Sequence, residues 1–331
     1  MEIIISVFIL ILIYLLSTKN NNETKYDIVI TWVNLTGDIN DYLELKYLLR
    51  SFNKHKVNYR NIYIIHREKE GKMFGYPTYL NEDNRLKFIS HQSLGCNWEI
   101  GRACQIPYLF NRIPGLSKLF FHIEDDQFIM NRSVFDKLIT EYKNKQIKTT
   151  LVNYYRYDEV LYSPVRHGGE GQWMFGQMNA SKFFGMEKYS FDIHNIKLYD
   201  RDIVNEIERL YPKIWEDSMT LINPLPASPF RCNMWSLYSS YLMTVRKWKF
   251  LQLENNDDYL EIHTNGYSKK KESEIKKGLE EIKQKLENSK ADLLNLQGDG
   301  ISGEYPKVPL VHDFIFGYLE EIFPDKTQWE K

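Results

Sequence analysis

One apolar run that ends in three consecutive acids constrains this chain more than any other stretch. It reads Leu119-Phe-Phe-His-Ile-Glu124-Asp125-Asp126 and continues as Gln-Phe-Ile129. The apolar part is typical of a buried strand, so the acids come at its carboxyl end. Buried carboxylates are costly unless a cation or hydrogen bonds compensate them. In an open α/β sheet, acids at this place predict a site for Mg²⁺ or Mn²⁺ on a diphosphate, and an acidic turn without a ligand is the alternative.

Strand and helix patterns alternate around this run. The predicted strands are residues 26–34, 61–66 and 86–91, the run that begins at residue 119 and ends in the acids, and residues 151–161. The predicted helices are residues 41–55, 98–110, 200–211, 235–243 and 269–294. This alternation predicts an α/β fold, with a mostly parallel sheet and helices on both of its faces. A glycine-rich loop at residues 164–172 matches no phosphate-binding fingerprint.

The composition excludes several classes of protein. There are 43 Lys and Arg against 44 Asp and Glu, so the chain is close to neutral and nothing indicates nucleic acid as a partner. The cysteines Cys96, Cys104 and Cys232 show no CxxC spacing, which argues against a zinc site or a disulfide framework. A pair between Cys96 and Cys104 stays open.

An apolar segment at residues 3–16 predicts a membrane anchor. With the next two residues it approaches the roughly 20 residues that a spanning helix needs. A cleaved signal peptide is the alternative, but no cationic region precedes the segment and no Ala-x-Ala site follows it. The predicted organisation is a single-pass transmembrane anchor at residues 1–18, a polar stem at 19–25 and one large domain at 26–331.

Four separated blocks of sequence carry a resemblance to a known family. They are Asp27-Ile-Val-Ile-Thr-Trp-Val-Asn34; Leu43-Glu-Leu-Lys-Tyr-Leu-Leu-Arg-Ser51 with Arg112-Ile-Pro-Gly-Leu-Ser117 and Glu124-Asp-Asp126; His194 with Asp200-Arg-Asp-Ile-Val-Asn-Glu206 and Arg231; and Leu296-Gln-Gly-Asp-Gly-Ile301 with Tyr318-Leu-Glu-Glu-Ile-Phe-Pro324. In this order and spacing they resemble the Stealth family of sugar-phosphate transferases. That family includes bacterial capsule polymerases and the lysosomal-enzyme GlcNAc-1-phosphotransferase.

The chain also departs from the family's pattern at several positions. Glu124 stands where Asn usually precedes Asp-Asp, and Asn111 stands where His usually precedes Arg-Ile. In the fourth block Gly298 replaces one acid and leaves Asp299. The identities of the donor and the acceptor therefore do not transfer from the family to this chain.

The resemblance implies a GT-A-like core that transfers a hexose-1-phosphate, such as GlcNAc-1-phosphate. The donor would be a nucleotide-sugar, on this resemblance a UDP-sugar, and the acceptor a hydroxyl of a glycan or glycoprotein. Eukaryotic members imply the lumen of the Golgi or another secretory compartment. Lys19 and Lys25, which follow the apolar segment, favour a cytosolic body instead, so both orientations stay open.

Residue by residue, the resemblance implies a metal site and two catalytic side chains. Asp125 and Asp126 would hold Mg²⁺ or Mn²⁺ on the diphosphate, and Asp299 would complete the site. His194 is the candidate general base, because the ordinary pKa of histidine lies near neutrality. Arg231 would contact the transferred phosphate, which suits the two-pronged geometry of a guanidinium.

The first strand and the first helix supply further candidates for binding the nucleotide. Thr31, Trp32 and Asn34 end the first strand at the ligand edge, although Trp32 fits a core position equally well. Arg50 projects from the first helix, where an ion pair is the alternative to a phosphate contact. Two other functions stay open for the whole chain: a metal-dependent glycosyltransferase and an inactive, membrane-tethered sugar-binding protein.

Overall fold

The structure is a computed structural model that describes residues 26–32, 43–66, 79–90, 112–149, 151–153, 183–186, 189–191, 196–212, 234–253, 257–301 and 306–331. Within these ranges the strands are β1 (Asp27–Thr31), β2 (Ile62–His66), β3 (Leu86–Ser90), β4 (Leu119–Glu124), β5 (Gln127–Ile129), β6 (Gln146–Thr149), β7 (Leu151–Asn153), β8 (Tyr189–Phe191), β9 (Lys197–Asp200), β10 (Lys249–Gln252), β11 (Tyr259–His263) and β12 (Leu293–Gln297). The helices are α1 (Glu44–Lys54), α2 (Ser133–Lys143), α3 (Arg201–Leu210), α4 (Met234–Thr244), α5 (Glu272–Asn288) and α6 (Pro309–Ile322), with a 3₁₀ turn at Tyr267–Lys269.

The central element is a five-stranded sheet with the order β3-β2-β1-β4-β9. Strands β1 to β4 are parallel to their neighbours, and β9 runs antiparallel to β4 at the edge. The predicted α/β fold with a mostly parallel sheet is therefore confirmed.

The sheet is covered on both faces, which explains why its central strands are apolar throughout. Successive side chains of a strand point to opposite faces. Ile28 and Ile30 of β1 pack in one core cluster with α1, α5 and α6, whereas Val29 packs in the other with α3 and α4. A strand buried on both faces has no polar side, so its sequence shows a continuous run instead of an alternation.

The predicted strand that ends in the acids is confirmed, and the apolar residues after the acids form a second, separate strand. Strand β4 ends at Glu124, and Asp125 and Asp126 form a turn. Strand β5 then leaves the main sheet and pairs antiparallel with β12, which itself pairs parallel with β11. The apolar residues on both sides of the acids fill places in two different sheets, and hydropathy alone does not separate them.

The predicted helices agree with the structure except at one end. Helices α1, α3 and α4 lie where the sequence places them, but the helix predicted over residues 269–294 runs only over Glu272–Asn288. Leu293 and Leu294 belong to β12, where both are buried and pair with β11 and β5. Of the strand predicted over residues 151–161, Leu151–Asn153 is β7, which pairs with β8; residues 154–161 lie outside the described ranges.

No helix in the described part of the chain is long and apolar enough to cross a membrane. The predicted anchor and stem, residues 1–25, lie outside that part, as does the helix predicted over residues 98–110. The anchor therefore stays a prediction.

Candidate active site

The carboxyl ends of β1 and β4 meet at the point where the strand order of the main sheet reverses. From β1 the chain moves outward to β2 and β3, and it returns on the other side of β1 as β4. Thr31 at the end of β1 is the register partner of Glu124 at the end of β4. Open α/β sheets bind their ligands in the crevice at this kind of position. The structure therefore brings the end of the first strand and the acids together, as the sequence predicts.

The acidic turn is held by hydrogen bonds on both of its sides. The backbone N–H of Glu124 donates to Oε1 of Gln127 over 3.1 Å. The backbone N–H of Leu296 in β12 donates to the carbonyl of Asp126 over 3.0 Å. Both aspartates are partly exposed. The backbone of the turn is thus fixed between two sheets, while its carboxylates keep access to solvent.

A buried lysine lies beside this turn. Nζ of Lys197 is 2.6 Å from Oε1 of Glu124, and the lysine side chain is only 3% exposed. Lys197 is the register partner of His122 on the neighbouring strand, so it reaches Glu124 diagonally across the pair. The sequence analysis missed Lys197, because the two residues are 73 positions apart and no local pattern connects them.

His122 completes the buried surroundings of the turn. Its Nε2 lies 3.1 Å from Oγ1 of Thr31, which links β4 to β1 just below the crevice. Burial, and after it the positive charge of Lys197, holds the pKa of His122 well below its ordinary range. The imidazole is therefore neutral at neutral pH, and it adds no charge to the site.

The donor set of the turn fits a magnesium ion that is shared with a substrate. No group of three or more His, Cys, Asp and Glu side chains in the described ranges has the geometry of a metal site. Mg²⁺ often binds through one or two carboxylates, with substrate phosphates and water supplying the other oxygens. Asp125 and Asp126 match that pattern, whereas an ion caged by protein ligands alone does not fit them.

Asp299, the third predicted metal ligand, has partners within the protein. Its side chain is buried, and Oδ2 accepts a hydrogen bond of 2.8 Å from the backbone N–H of Ser268. Its carbonyl accepts a second bond, of 2.9 Å, from Oγ1 of Thr264. These contacts fasten the loop after β12 to the loop after β11. A role of Asp299 at the metal stays a prediction.

Arg50 and Trp32 were predicted as nucleotide contacts, with an ion pair and a core position as their respective alternatives. In the structure both have the contacts of the alternative. The guanidinium of Arg50 is buried, with Nε 2.9 Å from Oε1 of Glu330 and one terminal nitrogen 2.9 Å from Oε2 of Glu320. This is the ion-pair role. Trp32 is 1% exposed and belongs to the core cluster on the α1 face, which is the core role.

The remaining candidates divide between the described and the undescribed parts of the chain. Thr31 lies at the crevice with its hydroxyl on His122. Asn34, His194 and Arg231 lie outside the described residues, so their roles stay predictions.

Comparison with known proteins gives two kinds of match, one to solved structures and one to a family model. Several solved structures are similar at low sequence identity. The galactosyltransferase LgtC, solved with donor and acceptor sugar analogues, is 9% identical with a TM-score of 0.44, covering 91% of this chain and 98% of its own. Mouse xyloside xylosyltransferase 1 is 12% identical with a TM-score of 0.40, covering 82% and 97%. HddC from Yersinia pseudotuberculosis is 14% identical with a TM-score of 0.32, covering 69% and 89%.

The second match is to a family model, and it includes both the first helix and the acidic turn. Residues 38–147 match the model of Stealth protein CR2, conserved region 2. This range contains the whole of the second block that the sequence analysis compared with the family. Over this range the match supports membership of the chain in the Stealth family.

Proposed function

We propose that this chain transfers a hexose-1-phosphate, such as GlcNAc-1-phosphate, from a nucleotide-sugar to a hydroxyl of an acceptor glycan. The observation that carries the proposal is the acidic turn Asp125-Asp126 at the switch point of a mostly parallel sheet, inside the range 38–147 that matches the Stealth model. A GT-A-like core with a UDP-sugar as donor is part of the proposal.

In this reaction the acceptor oxygen forms a bond to the β-phosphorus of the donor. The bond from that phosphorus to the oxygen bridging to the α-phosphorus breaks, and nucleoside monophosphate leaves. His194 takes the proton of the acceptor hydroxyl, and Arg231 holds the oxygens of the transferred phosphoryl group. A magnesium ion bound by Asp125 and Asp126 would supply neutralisation of the diphosphate charge, which together with positioning provides most of the catalysis in phosphoryl transfer.

The proposal includes a place for the reaction. Residues 1–18 anchor the domain in a membrane, with the body in the Golgi or another secretory lumen, where glycans and glycoproteins are available as acceptors. Protease treatment of intact microsomes tests the orientation. A body that is digested without detergent faces the cytosol and overturns the luminal placement.

Product analysis tests the reaction itself. The chain is incubated with a panel of nucleotide-sugars, Mg²⁺ and glycan acceptors, with Asp126→Asn as the inactive control. Release of nucleoside monophosphate with a phosphodiester product is the expected result. Release of nucleoside diphosphate with a glycoside would identify a metal-dependent glycosyltransferase instead. Binding of sugars without any release would identify a sugar-binding protein.

The two catalytic side chains have a separate test. His194→Ala and Arg231→Ala are each expected to lower turnover by about 10²–10⁴-fold, as loss of a general base or a phosphate clamp usually does. Arg231→Lys stays poor, because one ammonium does not reproduce the two-pronged contact. Thermal melts on the same preparations are expected to match the wild type. Variants that unfold, or that keep normal turnover, would return these residues to a structural role.

A further inference from the structure

A tripeptide at the start of helix α2 carries a motif that the proposed reaction does not use. Residues Asn131-Arg132-Ser133 form an Asn-x-Ser triplet without proline in the middle, which is the acceptor sequence for N-glycosylation. Three other triplets of this kind, at Asn22, Asn34 and Asn179, lie outside the described residues. The structure therefore shows the surroundings of one acceptor asparagine, Asn131.

We propose that Asn131 is glycosylated on its side-chain nitrogen. This modification rests on the proposed function, because it requires the body of the chain to enter the secretory lumen. An oligosaccharyltransferase and a lipid-linked oligosaccharide diphosphate supply the glycan there. In the attachment step, the bond between C1 of the first sugar and the diphosphate oxygen breaks. A bond from C1 to Nδ2 of Asn131 forms, and the amide releases one proton.

Asn131 lies on the surface although the backbone beside it is fixed. Asn131 and Arg132 are both exposed, in the turn between β5 and α2. The backbone N–H of Asn131 donates over 3.1 Å to the carbonyl of Asp292, just before β12. A glycan is bulky and hydrophilic, so it belongs on a surface that stays in solvent. An oligosaccharide attached here during synthesis remains outside the domain when the chain folds.

The fold uses atoms of the triplet other than the attachment atom. Oδ1 of Asn131 accepts a hydrogen bond of 3.0 Å from the backbone N–H of Ser133, which satisfies one of the donors at the start of α2. Oγ of Ser133 donates over 3.1 Å to Oδ1 of Asp292. These bonds explain an Asn and a Ser here by structure alone. They leave Nδ2 of Asn131 without a hydrogen bond to any residue that the structure describes. The start of the helix therefore keeps both bonds when Nδ2 carries a glycan.

The acidic turn and Asn131 lie at opposite ends of β12. Leu296, near the carboxyl end of β12, donates its N–H to the carbonyl of Asp126, whereas Asp292 precedes the amino end and accepts from Asn131. Strand β5 connects the two places, and its three residues span about 10 Å at the usual rise of a strand. A glycan on Asn131 therefore leaves the crevice open to a donor and an acceptor.

Mass spectrometry of peptides tests the proposal on the full chain, produced in eukaryotic cells that have a secretory pathway. Peptide N-glycosidase in heavy-oxygen water converts a glycosylated asparagine into a labelled aspartate. The expected result is this label at residue 131. Protease treatment of intact microsomes from the same cells establishes on which side of the membrane the body lies.

Three variants connect the label to the triplet. Arg132→Pro keeps Asn131 and Ser133 but blocks the motif, and the φ of −61° at Arg132 is one that proline adopts. This variant is expected to fold normally and to lose the label. Arg132→Ala keeps the motif and is expected to be labelled as the wild type is. Asn144→Gln changes an exposed asparagine at the other end of α2, outside any triplet, and is expected to keep the label at residue 131.

The outcomes distinguish this proposal from the proposed function. A body that is protected from protease, with residue 131 unlabelled, overturns the glycan alone. A body that is digested without detergent overturns the luminal placement and the glycan with it, while product analysis still tests the transfer reaction. A label that persists in Arg132→Pro would show deamidation instead of a glycan and would also overturn the proposal. If Arg132→Pro does not fold, a wild type that acquires the label only with the glycosidase decides in favour of the glycan.

Discussion

Acids lie at two opposite edges of the main sheet, and their surroundings differ. At the amino end, the fully buried carboxylate of Asp27 accepts hydrogen bonds from the backbone of Asn61 at 3.0 Å and of Ser117 at 2.7 Å. Nε of Arg60 adds a third bond of 2.9 Å, and the same guanidinium forms an ion pair with the other carboxylate oxygen. Both carboxylate oxygens therefore have protein donors. The family-like residues Asp27 and Ser117 meet here for a structural reason.

At the carboxyl edge of the same sheet three consecutive acids lie beside a buried lysine. Lys197 compensates Glu124, and the partly exposed Asp125 and Asp126 follow. The two edges therefore differ in solvent access: the carboxylate of Asp27 is enclosed by protein donors, whereas Asp125 and Asp126 are partly exposed. The proposed function assigns stability to the first edge and ligand binding to the second. Each of the following changes tests that division.

The largest expected effect is the loss of donor binding in Asp126→Asn. Asp126→Asn removes one of the two carboxylates from the proposed ion site, so the ion loses a negatively charged ligand. We expect Mg²⁺-dependent binding of the nucleotide-sugar to weaken by about 100-fold or more. Calorimetry with and without Mg²⁺ measures it. Asp136→Asn, at an exposed acid in α2, is the matched control and is expected to bind normally. Normal donor binding by Asp126→Asn would remove the metal assignment.

At the opposite edge, Asp27→Asn is expected to lower the free energy of unfolding by about 3 kcal/mol and to leave donor affinity unchanged. The amide NH₂ of Asn would face a donor, the backbone N–H of Ser117 or the guanidinium of Arg60, in place of an acceptor, and the charge that pairs with Arg60 would be lost. Urea unfolding and calorimetry on the same protein measure the two effects. A variant that stays fully stable and loses donor binding would reverse the comparison between the edges.

A third change asks whether the ligand edge accepts one more acid. Gly298 has φ +119, and a Cβ there would lie 2.7 Å from Oδ1 of Asn265 and 2.8 Å from Oγ1 of Thr264. Gly298→Asp, which restores the family's acid, is therefore expected to cost about 2 kcal/mol of stability and to gain no Mn²⁺ affinity. Thermal melts and Mn²⁺ titration measure this. Gly317→Ala in α6, where a Cβ meets open space, is the control and is expected to stabilise the helix slightly.

The smallest effect concerns an acid that lies away from both edges. Oε2 of Glu141 is buried and has no hydrogen-bond partner among the residues that the structure describes. The side chain lines a small cavity of about 30 Å³ with Lys148 and Asp258. Burial raises the pKa of Glu141 from its ordinary value of 4.5 to about 7; Lys148 opposes the shift, and Asp258 adds to it.

Because the folded pKa lies above the unfolded one, the folded state keeps the proton longer, and stability falls as the pH rises from about 4.5 to 7. Relative to the wild type, Glu141→Gln is expected to gain about 1–2 kcal/mol between pH 5 and pH 8, a figure discounted for partial exposure. Urea unfolding at the two pH values measures the gain. Glu287→Gln, on the exposed face of α5, is expected to show no such gain. An equal response in both variants would contradict the role of burial.

The sequence predicts those parts of the fold that are encoded in short runs. The strands β1, β2 and β4 are mainly apolar runs, and α1 has Leu45, Leu48, Leu49 and Phe52 at helical spacing. The acidic site at the strand end is also found, because three consecutive acids after an apolar run are unusual. These features depend on residues that are close together in the sequence, so they are predicted without knowledge of the tertiary structure.

What the sequence does not predict depends on contacts between distant residues. Hydropathy does not reveal that β5 joins a second sheet, since Phe128 and Ile129 are as apolar as the residues of β4. The ion pair between Lys197 and Glu124 forms only because β9 pairs with β4. Arg50 and Trp32 each had two open roles, and their burial in the folded chain distinguishes them.

The pairing of Arg50 also has a consequence for synthesis of the chain. The buried guanidinium is balanced by Glu320 and Glu330, which follow it by 270 and 280 residues. While a ribosome is still making the intervening segment, helix α1 carries a charge that no carboxylate from those positions is yet able to meet. A charge without its partner opposes transfer of that helix from water into the core. We therefore expect helix α1 to reach its final packing only after residue 330 has left the ribosome, however early the central strands are made.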